Sequence, residues 1–227
     1  MFESPSTCWS VIQAAAAGSM DDRAHFVDRY ASLIRDYLAA RWRQSPCAGE
    51  LEDAVQEVFI DCFKPAGVLA RADAAQSGGF RAFLYGVVRM TALRVETRYA
   101  RQRQRQPAEE VNLDEIADSE QSLSEVFDRA WVRTLVREAA QVQAERARGA
   151  DESAVRRVEL LRLRFQDGMP IRAIAELWNV EAAWLHHEYA RAREEFRAAL
   201  REVVAFHHPG TPAEIERECA NLIANWS

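Results

Sequence analysis

The chain has 227 residues, 48% of them hydrophobic and 28% charged, which is the range of ordinary globular proteins. Seven prolines and nine glycines are too few for a fibrous or disordered chain, and no apolar run approaches the roughly 20 residues needed to span a bilayer. The net charge of −6 argues against a protein that coats nucleic acid indiscriminately, so any nucleic-acid contact has to come from a local basic patch.

The opening Met1-Phe2-Glu3-Ser4-Pro5-Ser6 lacks the basic and apolar stretches of a signal peptide, and a cytoplasmic location is expected. The four cysteines, Cys8, Cys47, Cys62 and Cys219, form no CxxC pair and read as free thiols. Of the 29 basic residues only Lys64 is lysine. Arginine suits bidentate contacts to phosphate and carboxylate, although a genome rich in G and C would leave the same bias.

Almost every segment carries the helical period, and an all-α fold is predicted. Residues 25–38 place Phe26, Tyr30, Leu33 and Tyr37 on one face, and residues 51–64 do the same with Leu51, Val55, Val58, Phe59 and Cys62. The second segment carries another stripe: Asp53, Glu57, Ile60, Asp61 and Lys64. Such an acidic stripe is either a solvated face or, with Gln56 adding directed hydrogen bonds, a complement to a cationic partner. Next comes Phe80-Arg81-Ala82-Phe83-Leu84-Tyr85, opening a helix studded with arginine. Phe80, Phe83, Leu84 and Val87 suit a core; the arginines suit phosphates, with aromatic surface for unstacked bases.

The charge then inverts. Residues 89–105 hold six arginines against Glu96, whereas residues 106–128 hold eight acids and no base. This break predicts two helical domains, 1–106 and 124–204, joined by an acidic linker at 107–123. A long helix is expected from about Ser124 to Arg148, stopped by Gly149.

Residues 158–200 read as a helix-turn-helix. A first helix over 158–166 closes at Asp167-Gly168-Met169-Pro170. A second covers 171–178 with Ile174, Ala175 and Leu177 inward, and Asn179 sits in the tight turn, where the left-handed conformation is needed. The third helix, from Glu181, has Leu185, Tyr189 and Phe196 as core candidates and Trp184, His186, His187, Glu188 and Arg191 facing a groove. Six arginines against seven acids over 158–200 are a poor balance for phosphate binding.

After a break at His207-His208-Pro209-Gly210, Thr211-Pro212-Ala213-Glu214 forms a capping box that opens a last helix within the extension 205–227. Its stripe of Ile215, Cys219, Leu222, Ile223 and Trp226 is to be buried against its own domain or against a partner. The histidine pairs and Cys219 match no common metal-ligand spacing, and no phosphate loop, HExxH or GxSxG motif occurs. No enzyme, metal or cofactor is expected.

These features arrive in an order that resembles bacterial RNA polymerase sigma factors of the extracytoplasmic-function group, within the sigma-70 family. Glu52-Asp53-Ala54-Val55-Gln56-Glu57-Val58-Phe59 is similar to the region-two helix that grips the coiled coil of the polymerase β′ subunit. Residues 80–98 are similar to the segment that melts and reads the −10 element, and residues 160–200 to region four, which reads the −35 element. Thr7-Cys8-Trp9-Ser10, Phe127-Asp128-Arg129-Ala130-Trp131 and the last helix are similar to a subgroup of that group. The family usually has tryptophan where Phe83 stands, asparagine where Met90 stands, and a basic, small polar run where this chain has Trp184, Leu185, His186, His187 and Glu188.

The resemblance implies a factor that joins core RNA polymerase through its β′ and β subunits, directs it to promoter DNA, and answers to an anti-sigma factor or another regulator. It implies polymerase contacts at Asp53, Gln56, Glu57, Ile60 and Asp61, −10 contacts at Phe83, Arg89, Arg94 and Arg98, and −35 contacts at Arg172, Trp184, His186, His187 and Arg191. The alternatives are a sigma-like interaction module without −35 recognition and an operator-binding repressor, which would need a symmetric dimer.

Overall fold

The computed structural model describes residues 7–72, 79–104, 116–208 and 210–226, and every regular element among them is helical. In chain order these are α1 (Cys8–Ala17), α2 (Met20–Arg41), α3 (Leu51–Phe63), α4 (Gly79–Gln104), α5 (Ile116–Ala150), α6 (Glu152–Phe165), α7 (Ile171–Trp178), α8 (Ala182–His207) and α9 (Pro212–Trp226). Two 3₁₀ turns, Pro46–Glu50 and Leu69–Arg71, flank α3. No described helix is long and apolar enough to cross a membrane.

The chain divides into two compact units. The first runs up to Thr134 and includes Phe206–His208; the second comprises Leu135–Ala205 and residues 210–224. The division falls inside α5 rather than in the acidic segment at 107–123. That helix also begins at Ile116, so residues 116–123 of the expected linker are helical, while 107–115 lie outside the described residues.

The first half of α5 belongs to the first unit for a packing reason. Leu123, Phe127, Ala130, Trp131 and Thr134 form one buried stripe. Trp131 stacks on Tyr30 with ring centroids 6.1 Å apart, and Phe127 meets Tyr85 edge-on at 5.1 Å. Phe26, Tyr30, Leu33 and Tyr37 of α2 are buried as their spacing predicts, with Phe80 of α4 against Tyr30 at 5.2 Å. Such ring pairs contribute about 0.5–1.5 kcal/mol each beyond the area they bury. His207 closes this cluster, its Nδ1 3.3 Å from the Tyr30 hydroxyl and its ring 5.2 Å from Trp131.

On α3, Val55, Val58 and Cys62 are buried and Leu51 and Phe59 half-buried. The end of this helix turns at Gly67, whose N–H donates to the Lys64 carbonyl at 2.8 Å. A Cβ there would lie 2.6 Å from the Asp61 carbonyl oxygen and 2.7 Å from that of Lys64, so only glycine fits.

In the second unit, Asp151 caps α6 by accepting from the Ala154 N–H at 2.7 Å, so this helix starts six residues before the expected 158. Leu160 and Leu163 of α6, Ile174 and Ala175 of α7 and Leu185 of α8 make a small core, with Trp178 and Tyr189 packed against it. Leu177, expected inward, is exposed, because Ile174 and Ala175 already fill the contact with α6 and α8. Asn179 adopts the left-handed conformation at φ 52° and ψ 51°. The Val180 N–H then reaches the Ala175 carbonyl at 2.9 Å and closes the turn.

In α9, Cys219 and Leu222 are buried and Ile215 is half-buried, while the side chains of Ile223 and Trp226 lie outside the described residues. The Arg201 guanidinium donates to the Glu216 carboxylate at 2.6 Å, and Thr211 and Glu214 form the expected capping box.

The turn at Asn179 supplies a test of the helix-turn-helix geometry. Asn179→Gly is expected to leave stability nearly unchanged. Asn179→Val should lower it by about 1–2 kcal/mol, the strain of a left-handed β-branched residue, as read by urea denaturation.

Candidate functional site

In the first unit four candidate residues of α3 and α4, Glu57, Asp61, Arg94 and Arg98, form one charged cluster with Glu50 and Lys64. Arg94 donates to the Asp61 carboxylate, which also takes a hydrogen bond from Lys64 Nζ at 2.7 Å. Arg98 Nη1 lies 3.2 Å from Glu57 Oε1, with Glu50 3.9 Å from the same guanidinium. Arg94 Nε approaches Glu57 at 3.9 Å. Burial pushes the Asp61 carboxyl up, but the hydrogen bonds from Lys64 and Arg94 outweigh it and hold the group below the usual carboxylate range.

This geometry splits the acidic stripe. Asp61, expected on the docking face, is buried with its side chain only 13% exposed, and Glu57 is half-covered. Both turn toward α4 because its arginines stand within reach. Asp53, Gln56 and Ile60 remain exposed at i, i+3 and i+7, and Ile60 keeps 62% of its surface in solvent. Glu52 is also exposed and is gripped by both ends of the Arg35 guanidinium at 2.8 and 2.7 Å.

On α4, Met90, Leu93, Arg94, Thr97, Arg98, Arg101 and Gln102 line an open groove of about 700 Å³. Met90 is an exposed apolar side chain beside three cations, a combination that can take both a base and a phosphate. Arg89 is half-buried, and Phe83 is half-buried against Phe80, with ring centroids 6.0 Å apart. Glu96, the one acid of this helix segment, holds Arg41 at 2.7 and 3.1 Å and accepts from Trp42 Nε1 at 2.8 Å. It fixes α4 to the end of α2.

In the second unit Arg172, Trp184, His186, His187 and Arg191 are all exposed. They do not make one surface. Trp184, His187 and Arg191 share a face of α8, whereas His186 lies roughly 160° around the helix from Trp184 at the α-helical repeat. His186 therefore sits on the flank with Tyr189 and Arg193, whose guanidinium lies 5.7 Å from the Tyr189 ring centroid.

Glu188, expected to face the groove, is drawn inward. Its carboxylate lies 3.2 Å from Nη1 of Arg157, and Glu195 Oε1 accepts from the same guanidinium at 2.8 Å. The Arg157 side chain is 6% exposed and that of Glu188 12%. The hydrogen bond to Glu195 and the Glu188 carboxylate raise Arg157 above its ordinary value. Spacing gave a signal for Arg157: it lies between Ala154 and Leu161 in the buried stripe of α6, a cation in an apolar row.

All four cysteines are free and buried, and burial pushes the Cys62 thiol up to about 12, so it carries no thiolate near neutral pH. Among the described residues no group of three or more His, Cys, Asp or Glu is placed to hold a metal. No protein-family model matches the chain, and no curated protein matches it significantly.

Two measurements check this geometry. Arg157→Ala leaves Glu188 with Arg191 alone and takes the buried partner from Glu195, and should lower stability by about 1–3 kcal/mol in chemical denaturation. Asp61 has a depressed folded value, so its contribution is complete above the unfolded value and disappears as pH falls through the folded one. Wild type should therefore lose stability below about pH 4 more steeply than Asp61→Asn, the two curves converging in acid.

Proposed function

We propose that the chain is a transcription initiation factor of the extracytoplasmic-function sigma group, an all-α protein with a region-two-like first unit and a region-four-like second. It joins core RNA polymerase through the exposed Asp53–Gln56–Ile60 stripe of α3. It holds the −10 strand on the apolar and cationic face of α4, and presents α7 and α8 to the −35 duplex. The observation that carries this reading is the arrangement in the first unit: an exposed polar and apolar stripe on α3, with a groove of arginines, Met90 and Leu93 on the helix packed against it. A polymerase-bound factor needs these two surfaces on adjoining helices, so that docking brings the second to DNA.

A second reading keeps the polymerase contact but assigns α7 and α8 to a protein partner. Exposed Leu177 and Trp184, together with the excess of acids over arginines in residues 158–200, favour it.

Co-purification with bacterial core RNA polymerase tests the proposal. Wild type should be retained. Ile60→Arg and Asp53→Arg, both at exposed positions, should abolish retention without changing the circular dichroism melt. A folded wild-type chain that fails to bind overturns the sigma reading.

A further inference from the structure

The acid at 188 is the feature of α8 least suited to a surface that meets phosphate, yet its geometry gives it a constructive part. Arg157, nearly covered by protein, fixes one side of the Glu188 carboxylate at 3.2 Å. The other oxygen, Oε1, accepts from Arg191 Nη1 at 3.3 Å. Arg191 itself is 64% exposed, on the face of α8 that also carries Trp184 and His187. An exposed arginine normally samples many rotamers, and ordering it on binding a phosphate costs free energy. Here one of its five donors is held by an acceptor anchored on a nearly buried guanidinium, while most of the Arg191 side chain stays open to solvent.

We propose that Glu188 is a positioning residue: anchored by Arg157, it pre-orients Arg191 for a backbone phosphate of duplex DNA. This rests on the duplex-binding reading of α7 and α8. The chain of contacts runs from a buried cation through a nearly buried carboxylate to an exposed cation. The carboxylate charge is thus spent on two arginines before any phosphate arrives. An acid whose only effect was repulsion would face solvent unpaired, and Glu188 does not.

The two roles predict opposite signs. The probe is a fluorescent mixed-sequence duplex bound by the full chain, with anisotropy read across a salt series. Arg191→Ala should weaken binding and reduce the slope of log K against log salt by about one phosphate contact. Glu188→Gln keeps the size and an acceptor oxygen but removes the charge, and should weaken binding about two- to tenfold, the scale of ordering one long side chain. In the Arg191→Ala background the same change should cause no loss, because nothing remains to be oriented. Stronger binding by Glu188→Gln in the wild-type background would mark the acid as repulsive and overturn the proposal. An equal loss in both backgrounds would reduce Glu188 to a structural part and overturn it as well. If the wild-type chain binds no duplex at any salt concentration, the duplex reading of this unit fails first, and the positioning role falls with it.

Discussion

A guanidinium leaves water at a cost of several kcal/mol unless carboxylates meet it in good geometry, and that requirement organises this protein. Three of the candidate site helices, α3, α4 and α8, are fixed by such an encounter, whereas α7 is held by apolar packing. Arg41, covered on α2, is met by Glu96 of α4 with Trp42 sharing the carboxylate. Between α3 and α4 the covered partner is the carboxylate: Asp61 is met by the half-exposed Arg94. Arg157 of α6 is met by Glu188 and Glu195 of α8. The planar fork of arginine lets one cation satisfy two oxygens or two carboxylates at once, which the single point charge of lysine does less well. The near absence of lysine thus has a structural reading beside the genomic one. Several arginines serve as clasps between helices, and their number says little about nucleic acid.

The same clasps explain what could be read from the chain and what could not. Helical period identified Phe26, Tyr30, Leu33 and Tyr37 as core, and α7 falls on the residues that its flanking Pro170 and Asn179 delimit. The left-handed Asn179 and the Thr211–Glu214 box are local, so their chemistry is visible in a few residues. The sides chosen by the charges are not local. Asp53, Glu57, Ile60 and Asp61 occupy one stripe by spacing, yet α4 claims the second and fourth because Arg98 and Arg94 pack opposite them, 41 and 33 residues away in sequence. Glu188 turned inward for the same reason, with Arg157 on another helix. A residue at the margin of an apolar stripe can face solvent or core, and the decision lies with the neighbouring helix.

The start of α5 was hidden differently. Residues 116–123 read as linker from their polar, acidic composition, yet they are already helical. The acidic run continues into this helix, so composition does not mark where the helix begins. The packing boundary instead follows the last aromatic that α5 gives to the first core, Trp131, a few residues before Thr134.

Beside the ion pairs three small sets keep exposed surface: Asp53, Gln56 and Ile60 on α3; Met90, Arg101 and the half-exposed Arg94 and Arg98 on α4; Trp184, His187 and Arg191 on α8. On the proposed reading this economy is functional. A chain with many unpaired arginines would bind DNA everywhere by releasing counterions, whatever the sequence. On that reading a chain of net charge −6, with many of its cations committed to carboxylates, holds DNA weakly alone. Weak sets become effective when a larger partner fixes one of them, because the others then act at a high local concentration. The polymerase would provide that fixed point at α3. Selectivity would then come from the few arginines that the fold orients outward, and from the many it keeps occupied.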